Sequence, residues 1–173
     1  AASDVYKRQR EEDFVEHLFV ANTHSYILFF TDKGKCYWVK VYDIPEGGRA
    51  AKGRAIVNLI GCEPDEKVSA FISVKEFNED HYVVMATEKG MVKKTKLSAY
   101  SNPRKKGIYA VEIRDGDKLI EARVSTGDND ILLGTRNGKS IRFSEEQIRA
   151  SGRKTMGVKG CLLYTSPSPR DRH

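Results

Sequence analysis

The sequence has little of what several protein classes need. Its three cysteines, Cys36, Cys62 and Cys161, form no C-x-x-C pair. Cys36 and Cys62 are therefore expected to be structural strand cysteines in a reducing compartment. His17, His24 and His81 show no metal-ligand spacing and are expected on the surface or in hairpins. No apolar run approaches the ~20 residues of a membrane helix, and neither end reads as a signal peptide. No glycine-rich phosphate loop occurs, which argues against a nucleotide site in this chain. No long 3.6-residue period appears, which argues against a helical fold.

What the chain does have is a turn that recurs three times. It reads Thr31-Asp32-Lys33-Gly34, Thr87-Glu88-Lys89-Gly90 and Thr135-Arg136-Asn137-Gly138. An apolar run precedes each copy and a basic strand follows it. A second glycine closes each unit at Gly53, Gly107 and Gly157. Two polar residues and a glycine between strand-like runs suit a tight hairpin, because glycine enters the left-handed region without a Cβ clash. The β-branched threonine fits the strand end. A period of ~50 residues signals a propeller, solenoid or array.

Residues 1–9 and 161–173 match neither the repeat nor each other. Both resemble translated sequencing-adapter read-through, so they are expected to be non-native and are left out of the fold. Residues 10–160 divide into units at about 10–62, 63–116 and 117–160. In the first, an alternating strand is expected within 11–20, a buried strand at 26–31, its hairpin partner at 35–40 and a closing strand at 57–60. The second repeats the plan with strands at 67–74, 82–87, 91–96 and 108–113. The third has strands at 119–125, 131–135 and 139–143, a helical turn within 144–150, and a last strand from Gly157. The fold class is all-β, with about four strands per unit.

Charge is segregated along these units. Residues 10–160 carry a net charge of only +4, but the stretches 31–56, 86–110 and 135–160 hold 20 basic and 6 acidic residues. The remainder holds 6 basic and 16 acidic. Stacked repeats should present a continuous basic stripe, suited to phosphates and to salt-sensitive affinity with little base readout. Ordinary solvated hairpin tips that protect strand edges are the alternative for any one hairpin. Three in register favour nucleic acid. Duplex is preferred over single strands, because the basic positions lack interleaved exposed aromatics: Tyr37-Trp38 is matched by Lys93-Lys94 and Ile141-Arg142.

These residues carry a resemblance. Residues 12–160 resemble the C-terminal domain of the DNA gyrase A subunit, most closely its Bacteroidetes form. The matching stretches include Gly34-Lys35-Cys36-Tyr37-Trp38, Tyr42-Asp43-Ile44-Pro45-Glu46-Gly47, Lys52-Gly53-Arg54-Ala55-Ile56, Lys93-Lys94-Thr95, Ile141-Arg142-Phe143 and Gly157-Val158-Lys159-Gly160. Topoisomerase IV's A subunit carries a related, more degenerate domain. The resemblance implies a β-pinwheel of roughly six four-stranded blades that exchange strands, of which this chain would hold about three. It implies DNA bent around a basic outer edge in support of ATP-dependent negative supercoiling. The phosphate-contacting residues are then expected to be Lys40, Arg49, Lys52, Arg54, Lys93, Lys94, Lys96, Arg104, Lys105, Lys106, Lys139, Arg142, Arg153, Lys154 and Lys159. The family's Q-R-R-G-G-K-G box is absent, since Gln9-Arg10 is followed by Glu11-Glu12. No tyrosine here takes the family's DNA-cleaving role, so no catalytic or metal-binding residue is expected. ATP and Mg2+ would come through the gyrase B subunit. That protein, double-stranded DNA and a second A subunit are the implied partners, in the bacterial cytoplasm. A propeller-like scaffold for an acidic protein is the other class the stripe allows.

Overall fold

The structure, a computed structural model, describes Leu18 and residues 20–160. The strands are β1 (Tyr26–Thr31), β2 (Lys35–Lys40), β3 (Val68–Val74), β4 (Tyr82–Thr87), β5 (Met91–Lys96), β6 (Ile108–Tyr109), β7 (Leu119–Ser125), β8 (Asp130–Gly134), β9 (Ser140–Ser144) and β10 (Val158–Lys159). A short α-helix, α1 (Ile56–Ile60), interrupts them. A 3-10 turn follows each hairpin, at Val41–Asp43, Leu97–Tyr100 and Glu145–Gln147. The strand expected within 11–20 lies outside the described residues, apart from Leu18 and Val20, which are exposed.

The three recurring turns share one geometry. Gly34, Gly90 and Gly138 have φ of 82°, 84° and 80°, a region that glycine occupies without penalty. Each donates its N–H to the threonine carbonyl three residues back, at 3.0 Å. The threonine hydroxyl contributes more than strand propensity. Oγ1 of Thr31, Thr87 and Thr135 accepts the N–H of Lys35, Met91 and Lys139 at 3.2, 3.1 and 3.1 Å. A side-chain oxygen thus satisfies the donor that the tight turn leaves without a ladder partner.

The hairpins are completed by the following repeat. The first sheet runs β3-β1-β2-β6 and the second β10-β5-β4-β7. All pairings within them are antiparallel. Residues 26–40 are therefore flanked by strands from residues 68–74 and 108–109, and residues 82–96 by strands from 119–125 and 158–159. Each sheet crosses the boundary between two sequence units, and this is the exchange of strands implied by the resemblance. The third hairpin, β8-β9, stands as a two-stranded sheet among the described residues, short of the four strands expected.

The main core lies between the first two sheets. Leu28, Phe30, Ile72 and Val74 from one meet Val83, Met85, Leu119 and Ala122 from the other, with Tyr100 and Val111 alongside. Both faces of β1 are buried, as its apolar run requires. Its second face, with Ile27 and Phe29, clusters with Tyr37 and Val39 of β2 and with Ile60 of α1. A smaller cluster of Val92, Phe143 and Ile148 joins the third hairpin to the second sheet.

Three sequence expectations give way here. Residues 57–60 were expected as a strand and are helical. Among the described residues no sheet edge pairs with them, so the segment satisfies its backbone locally and ends on Gly61 at φ 61°. Cys62, expected in a strand, follows that cap. Cys36 is in β2 and buried. The strand expected at 108–113 pairs only at Ile108–Tyr109. Beyond it Ala110 and Val111 both donate to the Gly34 carbonyl, at 2.8 and 3.2 Å, so the chain crosses the end of the first hairpin.

Candidate nucleic-acid interface

Opposite edges of the two complete sheets are fed by segments of opposite charge. Glu63, Asp65 and Glu66 precede β3, and Asp115 and Asp117 precede β7. β3 and β7 pack against one another, so these acid-led edges face inward. The basic loop with Arg104, Lys105 and Lys106 leads instead into β6, and the loop with Arg153 and Lys154 into β10. β6 and β10 are the opposite edge strands of their sheets and form the rim.

Acids ahead of β3 pair with the lysines around the first turn, and a turn glutamate pairs with the lysine ahead of β7. Lys33 pairs with Asp65, Lys35 with Glu63 at 3.4 Å and Glu66 at 3.3 Å, and Lys118 with Glu88 at 3.8 Å. The buried Glu66 also accepts the Tyr37 hydroxyl at 3.1 Å. Burial, and then that hydrogen bond, push the Tyr37 hydroxyl up to about 12. Nine of the expected residues, four of them (Arg104, Lys105, Lys106 and Lys154) in the loops leading into β6 and β10, have no such partners. Arg49, Lys52, Arg54, Arg104, Lys105, Lys106, Lys139, Lys154 and Lys159 are exposed and enter none of the ion pairs found among the described residues. The positive charge that remains unneutralised is concentrated where the repeats meet solvent.

The other six expected phosphate-contacting residues are placed differently. Lys40 and Lys96 occupy matching strand ends, paired in register with Tyr26 and Tyr82. Both are exposed, and Lys96 lies 3.9 Å from Glu79. Arg142 is exposed on β9 and 3.6 Å from Asp130. Arg153 is half-buried, its guanidinium donating to the Tyr109 carbonyl at 3.2 Å.

Lys93 and Lys94 are a correction. They are 1% and 6% exposed and point into the junctions between repeats, away from any approaching phosphate. The Lys93 ammonium donates to the carbonyls of Ala110 and of Arg153, the latter at 2.7 Å. Burial, reinforced by the Arg153 charge, lowers its pKa to about 7. Lys94 donates to the Glu145 carbonyl at 3.1 Å and lies over the Tyr82 ring, 4.8 Å from its centroid. The Lys93 amine is thus met by two backbone dipoles, and that of Lys94 by one and a π-face.

Sequence reasoning missed Tyr109, which is 54% exposed on β6 beside the Arg104–Lys106 loop. Its inward neighbour Ile108 is buried, so the alternation after Gly107 carried the signal. It also missed Arg136 and Arg149, which are exposed and enter no ion pair among the described residues. Both fall within the basic stretch 135–160. Among the described residues no group of three or more His, Cys, Asp or Glu could hold a metal ion, and no helix is long and apolar enough to cross a membrane.

Comparison with known proteins follows the three repeats. The family described as DNA gyrase C-terminal domain, beta-propeller, matches residues 25–75, 81–126 and 129–165. The last segment runs past residue 160 into the stretch set aside above. The DNA gyrase A subunit of Clostridium acetobutylicum is 50% identical over 151 residues, covering 87% of this chain and 18% of that protein. The Neisseria gonorrhoeae protein of the same name is 54% identical over 136 residues, covering 79% and 15%. This chain thus spans less than a fifth of these relatives. Among solved structures, the C-terminal domain of DNA topoisomerase IV superposes with a TM-score of 0.78 at 28% identity, covering 92% of this chain and 50% of that one. The DNA gyrase A C-terminal domain gives 0.68 at 22%, covering 81% and 44%, a likeness of fold.

Proposed function

We propose a function from the premise that the chain belongs to the DNA gyrase C-terminal domain family: its rim binds duplex DNA by the phosphate backbone and bends it, as part of a gyrase A subunit. The observation that carries this reading is the row of exposed, unpaired basic residues in the loops that lead into the two rim strands. A repeated cationic edge neutralises successive phosphates and releases their counterions, whatever the base sequence. Preference among sequences then comes from how easily the duplex bends. Within a whole enzyme, the bent segment would be presented to the cleavage gate with a fixed hand. ATP hydrolysis with Mg2+ on the B subunit would drive strand passage towards negative supercoiling in the bacterial cytoplasm, with a second A subunit completing the assembly. Membership of topoisomerase IV is the second reading, favoured by the 0.78 superposition. The identity of 50% to a gyrase A subunit weighs more heavily.

The discriminating experiment is filter binding of the chain to a plain mixed-sequence duplex, with poly-glutamate as competitor. Retention of the duplex against an equal charge concentration of poly-glutamate is expected. Equal competition by the acidic polymer would assign the rim to an acidic protein partner.

A further inference from the structure

The duplex-binding reading leaves unexplained a lysine buried with no carboxylate beside it. Lys93 stands on β5 three residues after the turn glycine, where the first repeat has Tyr37 and the third Ile141. Its ammonium bridges two segments from different sheets. Ala110 continues the rim strand β6 of the first sheet. Arg153 sits in the basic loop that leads to β10 of the second. The loop's other ties are few. Ser151 N–H donates to the Lys94 carbonyl at 2.8 Å, Glu112 N–H donates to the Thr155 carbonyl at 3.1 Å, and Arg153 reaches the Tyr109 carbonyl. Lys93 enters no ion pair among the described residues, although an apolar side chain such as Ile141 serves the matching position. Where a buried cation is kept with only carbonyls to meet it, its hydrogen bonds are the reason to look for.

We propose that Lys93 is a positioning residue for duplex binding: without touching DNA, its ammonium clamps the Arg153–Lys154 loop to β6, so that the basic loops of successive repeats present one continuous phosphate-binding edge. The inference rests on the duplex-binding reading. Bound phosphates beside Arg153 and Lys154 favour the charged amine, and the charged amine makes the stronger hydrogen bonds that hold the loop. Binding therefore takes up a proton. The lowered pKa, about 7, places that uptake in an accessible range. The charged and titratable groups facing Lys93 are Arg153 from the loop and Tyr100 from the 3-10 turn, whose hydroxyl shares the Ala110 carbonyl at 3.2 Å, with Cys36 of β2 packed in the same core as Tyr100. Tyr109, Glu112, Lys154 and Lys159 lie on the surrounding segments. Burial holds Tyr100 and Cys36 in their neutral forms, with raised pKa values.

The test measures duplex affinity against salt for the full chain, for Lys154→Ala, for Lys93→Met and for the double variant. Lys154→Ala is expected to make the log–log salt slope shallower by about 0.9 in the wild-type background, and to change nothing further beside Lys93→Met, because the loop is already released. An equal change in both backgrounds would overturn the proposal. A measurement on the unaltered chain guards against a Lys93→Met variant that fails to fold. At fixed salt, affinity is expected to fall as pH rises through about 7, with net proton uptake detected by calorimetry in buffers of different ionisation enthalpy. A flat profile with no proton uptake would equally overturn it. Failure of the unaltered chain to bind duplex at any pH would reject the underlying reading and the inference with it.

Discussion

Lys93 and Lys94 look identical in sequence to the lysines of the rim loops, and they behave differently because of what the neighbouring repeat places over them. The run Val92-Lys93-Lys94-Thr95-Lys96 shows no apolar alternation, yet its first four residues are buried. The signal lay in comparing repeats: Tyr37-Trp38 occupies the matching positions, and its bulk marks them as interior. The buried amine has a consequence for stability. Lys93 falls to about 7 in the folded chain from 10.5, so between those values the unfolded chain binds more protons and stability rises with pH. Chemical denaturation of the wild type and Lys93→Met across this range is expected to show the wild type gaining on the variant by an amount of order a few kcal/mol; parallel stabilities would contradict it. Glu145 presents the opposite case. It is fully buried, and neither carboxylate oxygen has a hydrogen-bond partner among the described residues. The corresponding positions, each following the hairpin's second strand, are Val41 and Leu97. Glu145→Leu is expected to raise stability by about 1–3 kcal/mol, the cost of an unsatisfied buried polar group, read as a higher denaturation midpoint.

At the scale of elements, the hairpins were legible and their partners were not. β1, β2, β4, β5 and β7 fall on the expected residues, because apolar runs and the T-x-x-G turn are local features. Which strand closes which sheet depends on non-local pairing, and nothing within a repeat states that its outer strands serve the hairpin before it. The same blindness turned residues 57–60 into an expected strand. Their apolar content suits either state, and the absence of a paired edge among the described residues decides for helix. The docking of a closing strand is sharpest at Gly157. There φ is 83°, and an added Cβ would lie 2.3 Å from the Val92 carbonyl oxygen. Gly138 has nearly the same φ, 80°, with nothing within 4 Å of such a Cβ. Gly138→Ala is therefore expected to cost about 1–2 kcal/mol of left-handed strain, and Gly157→Ala about 1–3 kcal/mol more from forced overlap. Equal costs in thermal or chemical denaturation would mean that β10 is not seated on β5 as described.

Over the whole molecule, strand exchange explains why the charge pattern matters. The second and third repeats each send an acid-led strand inward and a basic loop outward, so residues separated by about one repeat in sequence align on one rim. The sequence showed the segregation of charge and the residue types. It overstated the number of lysines available, because it could not separate Lys93 and Lys94, buried at the junctions, from those left free. The sharpest test is the slope of log duplex affinity against log salt for the wild type and for Arg104→Ala/Lys105→Ala/Lys106→Ala. These three side chains are exposed and take part in no ion pair among the described residues, so the thermal midpoint should stay close to wild type. The slope is expected to become shallower by up to about 2.7, some 0.9 for each phosphate no longer neutralised, with similar losses on unrelated duplex sequences. An unchanged slope would contradict the assignment of the rim loops to DNA.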